Sequence, residues 1–199
     1  AFDVPGALAA YQAALARDRS PHATATLARK VVPLEQERRL GTGEWVAFLP
    51  ASPDLAGWKT ELGSWRLDPD GSLVGVAGVR GLLLVSDARV GSDFEIRGRM
   101  ELVSSTNGFY QGGVAFGYPS WKSQDWMSFR IKRNAREGQV AYFSQHLYWP
   151  DTSPIRIVAP DTNTFLVRVQ GGRVWATVNG ASIQDGLTPK KGLVKGRDL

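Results

Sequence analysis

Cysteine is absent from the 199 residues, which excludes disulfides, thiolate metal sites and cysteine nucleophiles. Histidine is nearly absent too: only His22 and His146 occur, so a histidine-built metal centre with its usual three or four ligands is not expected. No apolar run approaches the roughly 20 residues that a membrane-spanning helix needs. No glycine-rich phosphate loop, serine elbow or zinc-protease motif appears. The chain opens directly on Ala1-Phe2-Asp3 without the basic, apolar and cleavable stretches of a signal peptide, an opening compatible with a removed signal or a longer parent protein. What is present, 43% hydrophobic and 22% charged residues, describes a globular chain rather than a disordered one.

The formal net charge of +5 invites a nucleic-acid reading, and its distribution argues against one. Between Gly41 and Pro189 there are 14 basic and 14 acidic residues, so the whole excess lies in the flanks, at Arg17, Arg19, Arg29, Lys30, Arg38 and Arg39 and in the tail from Lys190 to Arg197. A nucleic-acid-binding domain concentrates positive charge on its folded face; here the central region is neutral, and no nucleic-acid partner is expected. Aromatics divide the opposite way. All seven tryptophans lie between Trp45 and Trp175, and 19 of the 22 glycines between Gly41 and Gly186. Glycine turns among aromatic and β-branched runs are the composition of an all-β domain. The expected organisation is therefore a helical arm over residues 1–41, a β-sandwich over 42–190 and a basic tail over 191–199.

In the arm, the alanine-rich run from Ala7 to Arg17 predicts a helix, with Leu8, Tyr11 and Leu15 on one face. Ser20-Pro21 predicts the cap and first turn of a second helix whose apolar positions are Leu27, Val31 and Leu34, with Pro33 expected to kink or end it. The phrase Ala7-Leu8-Ala9-Ala10-Tyr11-Gln12-Ala13-Ala14-Leu15 resembles the second helix of a tetratricopeptide repeat, but such repeats stack in several copies and at most one is present. A lone arm, packed on the sandwich or leading in from an upstream domain, is the simpler expectation.

Across the central region, Asp68-Pro69-Asp70-Gly71 predicts a turn between strands at Trp65–Leu67 and Ser72–Val76. Phe94 to Leu102 alternates, with Phe94, Ile96, Met100 and Leu102 inward and Glu95, Arg97, Arg99 and Glu101 on the other face. Gly112 to Tyr118 suits a crowded or ligand-facing strand. Trp126 to Arg133 alternates again, with Met127, Phe129 and Ile131 inward and Ser128, Arg130 and Lys132 outward. Gln139 to Leu147 follows, then a hairpin from Thr164 through Gly171-Gly172 to Val178, ending in Asn179-Gly180. Short strands at this spacing predict an antiparallel jelly-roll sandwich with a short N-terminal helical arm.

Several of these residues carry a resemblance. Asp54-Leu55-Ala56-Gly57-Trp58, Trp65 before Asp70-Gly71-Ser72-Leu73, and Asp93-Phe94-Glu95-Ile96 look like the opening of the concanavalin-A-like domain of the bacterial 3-keto-disaccharide hydrolases. The run from Asn163 to Val169 and that from Gly171 to Gly180 resemble the penultimate hairpin of that family and of laminin-G-like sandwiches. The resemblance spans about residues 44–185 and implies the jelly-roll architecture, a bacterial and extracytoplasmic setting, and either glycan binding or 3-keto-glycoside hydrolysis or lysis. Such sandwiches continue after the hairpin with one more strand, whereas this sequence runs into Gly192 to Leu199. The implied open edge would be closed by the arm or a neighbouring domain, or by a second copy of the chain in a homo-oligomer.

Sugar sites combine aromatic platforms with side chains that hydrogen-bond hydroxyls. Tyr118, Trp121 and Trp126 bracket a polar loop, and Arg99, Arg130, Tyr142, Ser144 and His146 would line the adjoining sheet face if their strands are neighbours. The competing expectation puts the tryptophans in the core and leaves the charges solvated. For glycoside hydrolysis, Asp93 and Glu95 share a face, but the Glu-x-Asp-x-x-Glu signature of sandwich glucanases is missing, and Glu95, Arg97, Arg99 and Glu101 read as a self-neutralising stripe. The keto-sugar chemistry implied by the resemblance would need a base, and Glu101, Asp125 and His146 are the set the sequence offers. No cofactor and no metal site is expected. Calcium is the one cation with candidates: Asp68-x-Asp70-Gly71, where the turn itself has use for both carboxylates, and the weaker oxygens of Asp151 and the Asp161-Thr162-Asn163 loop. The leading expectation is a non-catalytic, glycan-recognising module, ahead of a keto-sugar enzyme and of an assembly module.

Overall fold

In the computed structural model the described residues are 3–78, 82–103, 111–117, 126–132, 137–144, 147–154 and 162–188. The chain divides into two compact units, Ala1–Val90 and Gly91–Leu199.

The first unit begins with helices α1 (Val4–Arg17) and α2 (Pro21–Gly41). Asp3 and Ser20 cap them, each side chain accepting a hydrogen bond from the backbone N–H three residues on, at 3.0 and 3.2 Å. Leu8 and Leu34 are the helices' buried leucines. Of the two outcomes expected at Pro33, a kink or an end, the end is overturned: the helix continues for two turns to Gly41. Pro33 is itself buried and lies against Gly57, where a Cβ would come within 3.2 Å of the ring, so packing offsets the backbone hydrogen bond that proline removes. Two short antiparallel ladders follow, β1 (Trp58–Leu62) with β4 (Leu83–Ser86), and β2 (Ser64–Leu67) with β3 (Leu73–Val76). The Arg89 N–H donates to Glu37 at 2.8 Å, and the Gln36 amide donates to the Ala47 carbonyl. These ties hold α2 to the segment after it. Composition changes at residues 40–44 because α2 ends at Gly41 there, with the first strand at Trp58, yet the compact units part at Val90.

The second unit is the all-β sandwich. One sheet has the order β12-β11-β10-β5 and the other β6-β7-β8-β9, all antiparallel. Their ranges are β5 (Phe94–Glu101), β6 (Gln111–Phe116), β7 (Trp126–Lys132), β8 (Glu137–Ser144), β9 (Leu147–Pro154), β10 (Thr162–Gln170), β11 (Arg173–Val178) and β12 (Ala181–Leu187). The inward sets of the two sheets meet in one core: Phe116, Met127, Phe129, Ile131 and Val140 from one side, Phe165, Val167, Val169, Val174, Ala176, Val178 and Ile183 from the other. Phe129 and Phe165 stack with ring centres 5.3 Å apart, and Phe94 meets Phe116 edge-on at 5.6 Å. Each fully buried side chain of this kind contributes about 1.5–3 kcal/mol, which is why these strands close on one another. Gly98 and Gly112 make room: a Cβ at Gly98 would sit 2.8 Å from the Phe165 ring, and one at Gly112 would sit 2.7 Å from Met100 Sδ.

Two-residue turns at Gly171-Gly172 and Asn179-Gly180 have positive φ at both positions, as the right-handed twist of a hairpin requires. The second turn corrects an expectation. A strand, β12, does follow the hairpin and pairs with β11, so β11 is covered by the protein's own chain and β12 ends the sheet. The sequence hid β12 because Ser182, Gln184, Asp185 and Gly186 break the alternation around Ile183, and the ladder shifts register at two points.

Candidate functional site

Arg130 and Arg99, expected to share a sheet face, lie in different sheets: Arg130 on β7, Arg99 on β5. Strands with alternating polar residues need not be neighbours, and here the chain passes from one layer to the other between β5 and β6. The candidate site therefore has to be built on one face at a time.

On β7, alternation sends Met127, Phe129 and Ile131 into the core and leaves 128, 130 and 132 on the outer side. The register sets residues of the four strands in cross-strand rows. One row is Gly113, Arg130, Gln139 and Thr152; the next is Ala115, Ser128, Ala141 and Pro150; the third is Trp126, Phe143 and Tyr148. A fourth row, at the other end, sets Gln111 beside Lys132, Glu137 and Pro154, with Lys132 Nζ 4.0 Å from the Glu137 carboxylate.

An outward polar side chain on an antiparallel sheet is ordinarily solvated. Ser128 and Gln139 are not: they are 3% and 0% exposed. Arg130 is half-buried, and its Nε and Nη2 atoms are shielded from solvent. The Ser128 hydroxyl is buried and makes no hydrogen bond among the described residues. Burying a hydroxyl so costs about 1–3 kcal/mol unless it is matched. Beside this polar floor, Gly113 and Ala115 on β6 are exposed and present almost no side chain. In register, the rows run from Trp126–Phe143–Tyr148, through Ala115–Ser128–Ala141, to Arg130–Gln139.

Of the other expected site residues, Tyr118, Trp121, Asp125, His146 and Asp161 lie outside the described residues. Trp126 opens β7 in the aromatic row. Tyr142 stands opposite Met127 and Ser144 opposite Leu147, in the register set that alternates with that of Arg130. The grouping of Tyr142 with Arg130 on one face is corrected accordingly, because a strand's faces repeat every two residues. Glu101 ends β5, exposed and opposite Thr162. The carboxylates Asp93 and Glu95 have structural partners: Asp93 accepts from the Gly171 N–H at 3.0 Å, and Glu95 is gripped by Arg168 at 2.8 and 2.7 Å. At the calcium candidate, Asp70 accepts from the Ser72 N–H at 2.9 Å and Asp68 from Arg66 at 2.7 Å, so both carboxylates serve the turn and its flank.

Sequence reasoning did not single out Gln139, Phe143 and Tyr148. Their signal is the pairing of β7 with β8 and β9, and the prolines at 150 and 154 disguised β9.

No family model and no curated protein sequence matches the chain. Among solved structures it is similar to the carbohydrate-binding module CBM66 from Bacillus subtilis, at 14% identity and a TM-score of 0.57, over 72% of this chain and 83% of that one. That likeness is one of fold. It joins this chain to the β-sandwiches, and the site residues have to be argued from the chain's own side chains.

Proposed function

We propose that this chain is a non-catalytic carbohydrate-binding module of a larger bacterial protein, and that it holds a glycan on the outer face of the β6–β9 sheet. The observation that carries the reading is the cross-strand register, which aligns Trp126, Phe143 and Tyr148, then Ala115, Ser128 and Ala141, then Arg130 and Gln139. A sugar ring has an apolar face that suits aromatics and a rim of hydroxyls that suits a guanidinium such as that of half-buried Arg130, with Ser128 and Gln139 buried beneath it. Small residues between them leave room for the ring. Tyr118 and Trp121 precede Trp126 in sequence and extend the same chemistry. The fold of a known carbohydrate-binding module and the resemblance of residues 44–185 to the bacterial 3-keto-disaccharide hydrolases support a saccharide ligand.

The test is a glycan array probed with the intact chain, with and without calcium, beside Trp121→Ala/Trp126→Ala and Arg130→Gln variants. Binding by the intact chain, weakened about tenfold or more in each variant, is the expected result, with far-UV circular dichroism unchanged. Binding to no glycan, or equal binding by both variants, would sink the reading. Turnover of a 3-keto-disaccharide by the intact chain would replace it with a catalytic one.

A further inference from the structure

The outer side of the β12-β11-β10-β5 sheet carries a different constellation. Its cross-strand rows are Glu95, Arg168, Trp175 and Asp185; then Arg97, Leu166, Thr177 and Ser182; then Arg99 and Thr164. Leu166, Thr164 and Thr177 line an open depression of about 420 Å³ together with the two arginines of their rows, a size suited to a small ligand. Arg97 already has a partner, so no free arginine pair stands over it. Trp175 follows one row on, half-buried, and is the one aromatic on this side among the described residues. The Arg173 guanidinium stands 5.9 Å from its ring centre, tethered through Nε to the Gly186 carbonyl at 3.1 Å. Arg168 is tethered in turn by Glu95, at 2.8 and 2.7 Å.

We infer that this side is a second saccharide site, and that it takes two adjacent rings of a neutral glycan. One ring lies in the depression on Leu166, with the hydroxyls of Thr164 and Thr177 at its own; the next lies over the exposed part of Trp175. Threonine hydroxyls both donate and accept, as sugar hydroxyls do, and an indole offers the apolar platform that a ring face needs. Thr177 and Trp175 are two residues apart on β11, about 7 Å along the strand, so neighbouring rings reach both. The guanidiniums of Arg168 and Arg173 are held in place by their acceptors and keep N–H groups for hydroxyls at the rim. Acidic and basic side chains are mixed here, Glu95, Arg97, Arg99 and Glu101 along β5 and Asp185 opposite Trp175, so neither sign of charge is favoured in a ligand. The two sheets enclose one core, so their outer sides point away from one another. A site on each makes the module a bridge between two glycan chains; the bridging rests on the β6–β9 reading, and the Trp175 site does not.

Affinity electrophoresis of the full chain tests the site, in native gels carrying a soluble β-glucan, mannan, xylan, galactan or fructan. Light scattering of the same mixtures tests the bridging. The intact chain is retarded by at least one of these polymers, and scattering rises as protein is added to that polymer. Trp175→Ala abolishes the rise, and so does Thr164→Val/Thr177→Val, which removes two hydroxyls and keeps their shape. Arg130→Gln leaves this site working, and adding Trp175→Ala to it weakens the remaining retardation about tenfold or more. Unchanged far-UV circular dichroism checks that each variant folds. Scattering by Trp175→Ala or the threonine variant equal to that of the intact chain would overturn the inference and leave the β6–β9 site standing. Retardation lost with Trp175→Ala alone would keep this site and remove the other. No retardation in any gel, or stronger retardation by polygalacturonate than by every neutral polymer, would also overturn it.

Discussion

Gly113 faces Arg130 across the β6–β7 ladder, and its lack of a side chain has two consequences. It leaves the strip beside the guanidinium bare, and it lets β7 approach: a Cβ there would collide with the Phe129 carbonyl and the Arg130 Cα. Gly112, next to it, is crowded only by Met100 Sδ and Leu102 Cδ2, the ends of flexible side chains. The two glycines should therefore respond differently to the same change. Gly113→Ala is expected to cost about 2–3 kcal/mol, since backbone has to move, and Gly112→Ala less than about 1.5 kcal/mol, since a thioether adapts. Urea denaturation of both variants checks the order, and equal losses would show that the β6–β7 approach is not tight. Sequence alone flagged this glycine pair as crowded or ligand-facing without saying which residue was which, because the neighbour across the ladder decides it. The same holds at Asn179, whose φ of 51° and acceptance of the Thr164 N–H at 3.0 Å make Asn179-Gly180 a hairpin turn.

Among the elements, α2 is tied to a distant segment of its own unit. Glu37 accepts the Arg89 N–H from 52 residues away while half-buried. Burial pushes its carboxyl above the ordinary glutamate range, against the opposing pull of the Arg89 hydrogen bond and charge. A raised pKa in the folded state means that protonation favours folding. The stabilisation is fully present below the ordinary glutamate value of about 4.3, and it is lost as pH rises through the raised value. Glu37→Gln keeps an acceptor and removes the charge. Its melting temperature should exceed that of the unaltered protein at pH 7, with the difference closing as pH falls below about 4. Scanning calorimetry at the two pH values reads this, and a variant that is less stable at pH 7 would mean that the charge-assisted hydrogen bond outweighs desolvation. Glu35 and Glu44 shift the other way, each held below the ordinary range by a hydrogen bond from Arg38 and Arg39 respectively. These pairs are solvent-exposed, so they contribute little.

For the whole molecule, the core's membership is informative. Every residue of the main cluster, from Phe94 to Leu187, belongs to the Gly91–Leu199 unit, whereas among the described residues of Ala1–Val90 the buried apolar side chains include Leu8, Pro33, Leu34, Ala56 and Ala88. Expressed alone, residues 91–199 should keep a β-type far-UV spectrum and a single cooperative thermal transition, and residues 1–90 alone should melt over a broader range. A non-cooperative 91–199 fragment would show that the sandwich needs its partner unit.

Much of this protein was set by sequence alone. The composition change near residue 41, the alternation in 94–102 and 126–133, the capping Ser20-Pro21 and the two hairpin turns determine a helical arm followed by an antiparallel sandwich, because each is a local preference read at short range. Inward positions followed for the same reason: Met127, Phe129 and Ile131 are at most 1% exposed. Which strands are neighbours is a long-range matter. Only the tertiary structure put Arg99 and Arg130 in different sheets, paired β12 onto β11, aligned Phe143 and Tyr148 with Trp126, and buried Ser128 and Gln139 on an outer face. Period-two alternation tells which side of a strand a residue takes and carries no information about what lies across the ladder.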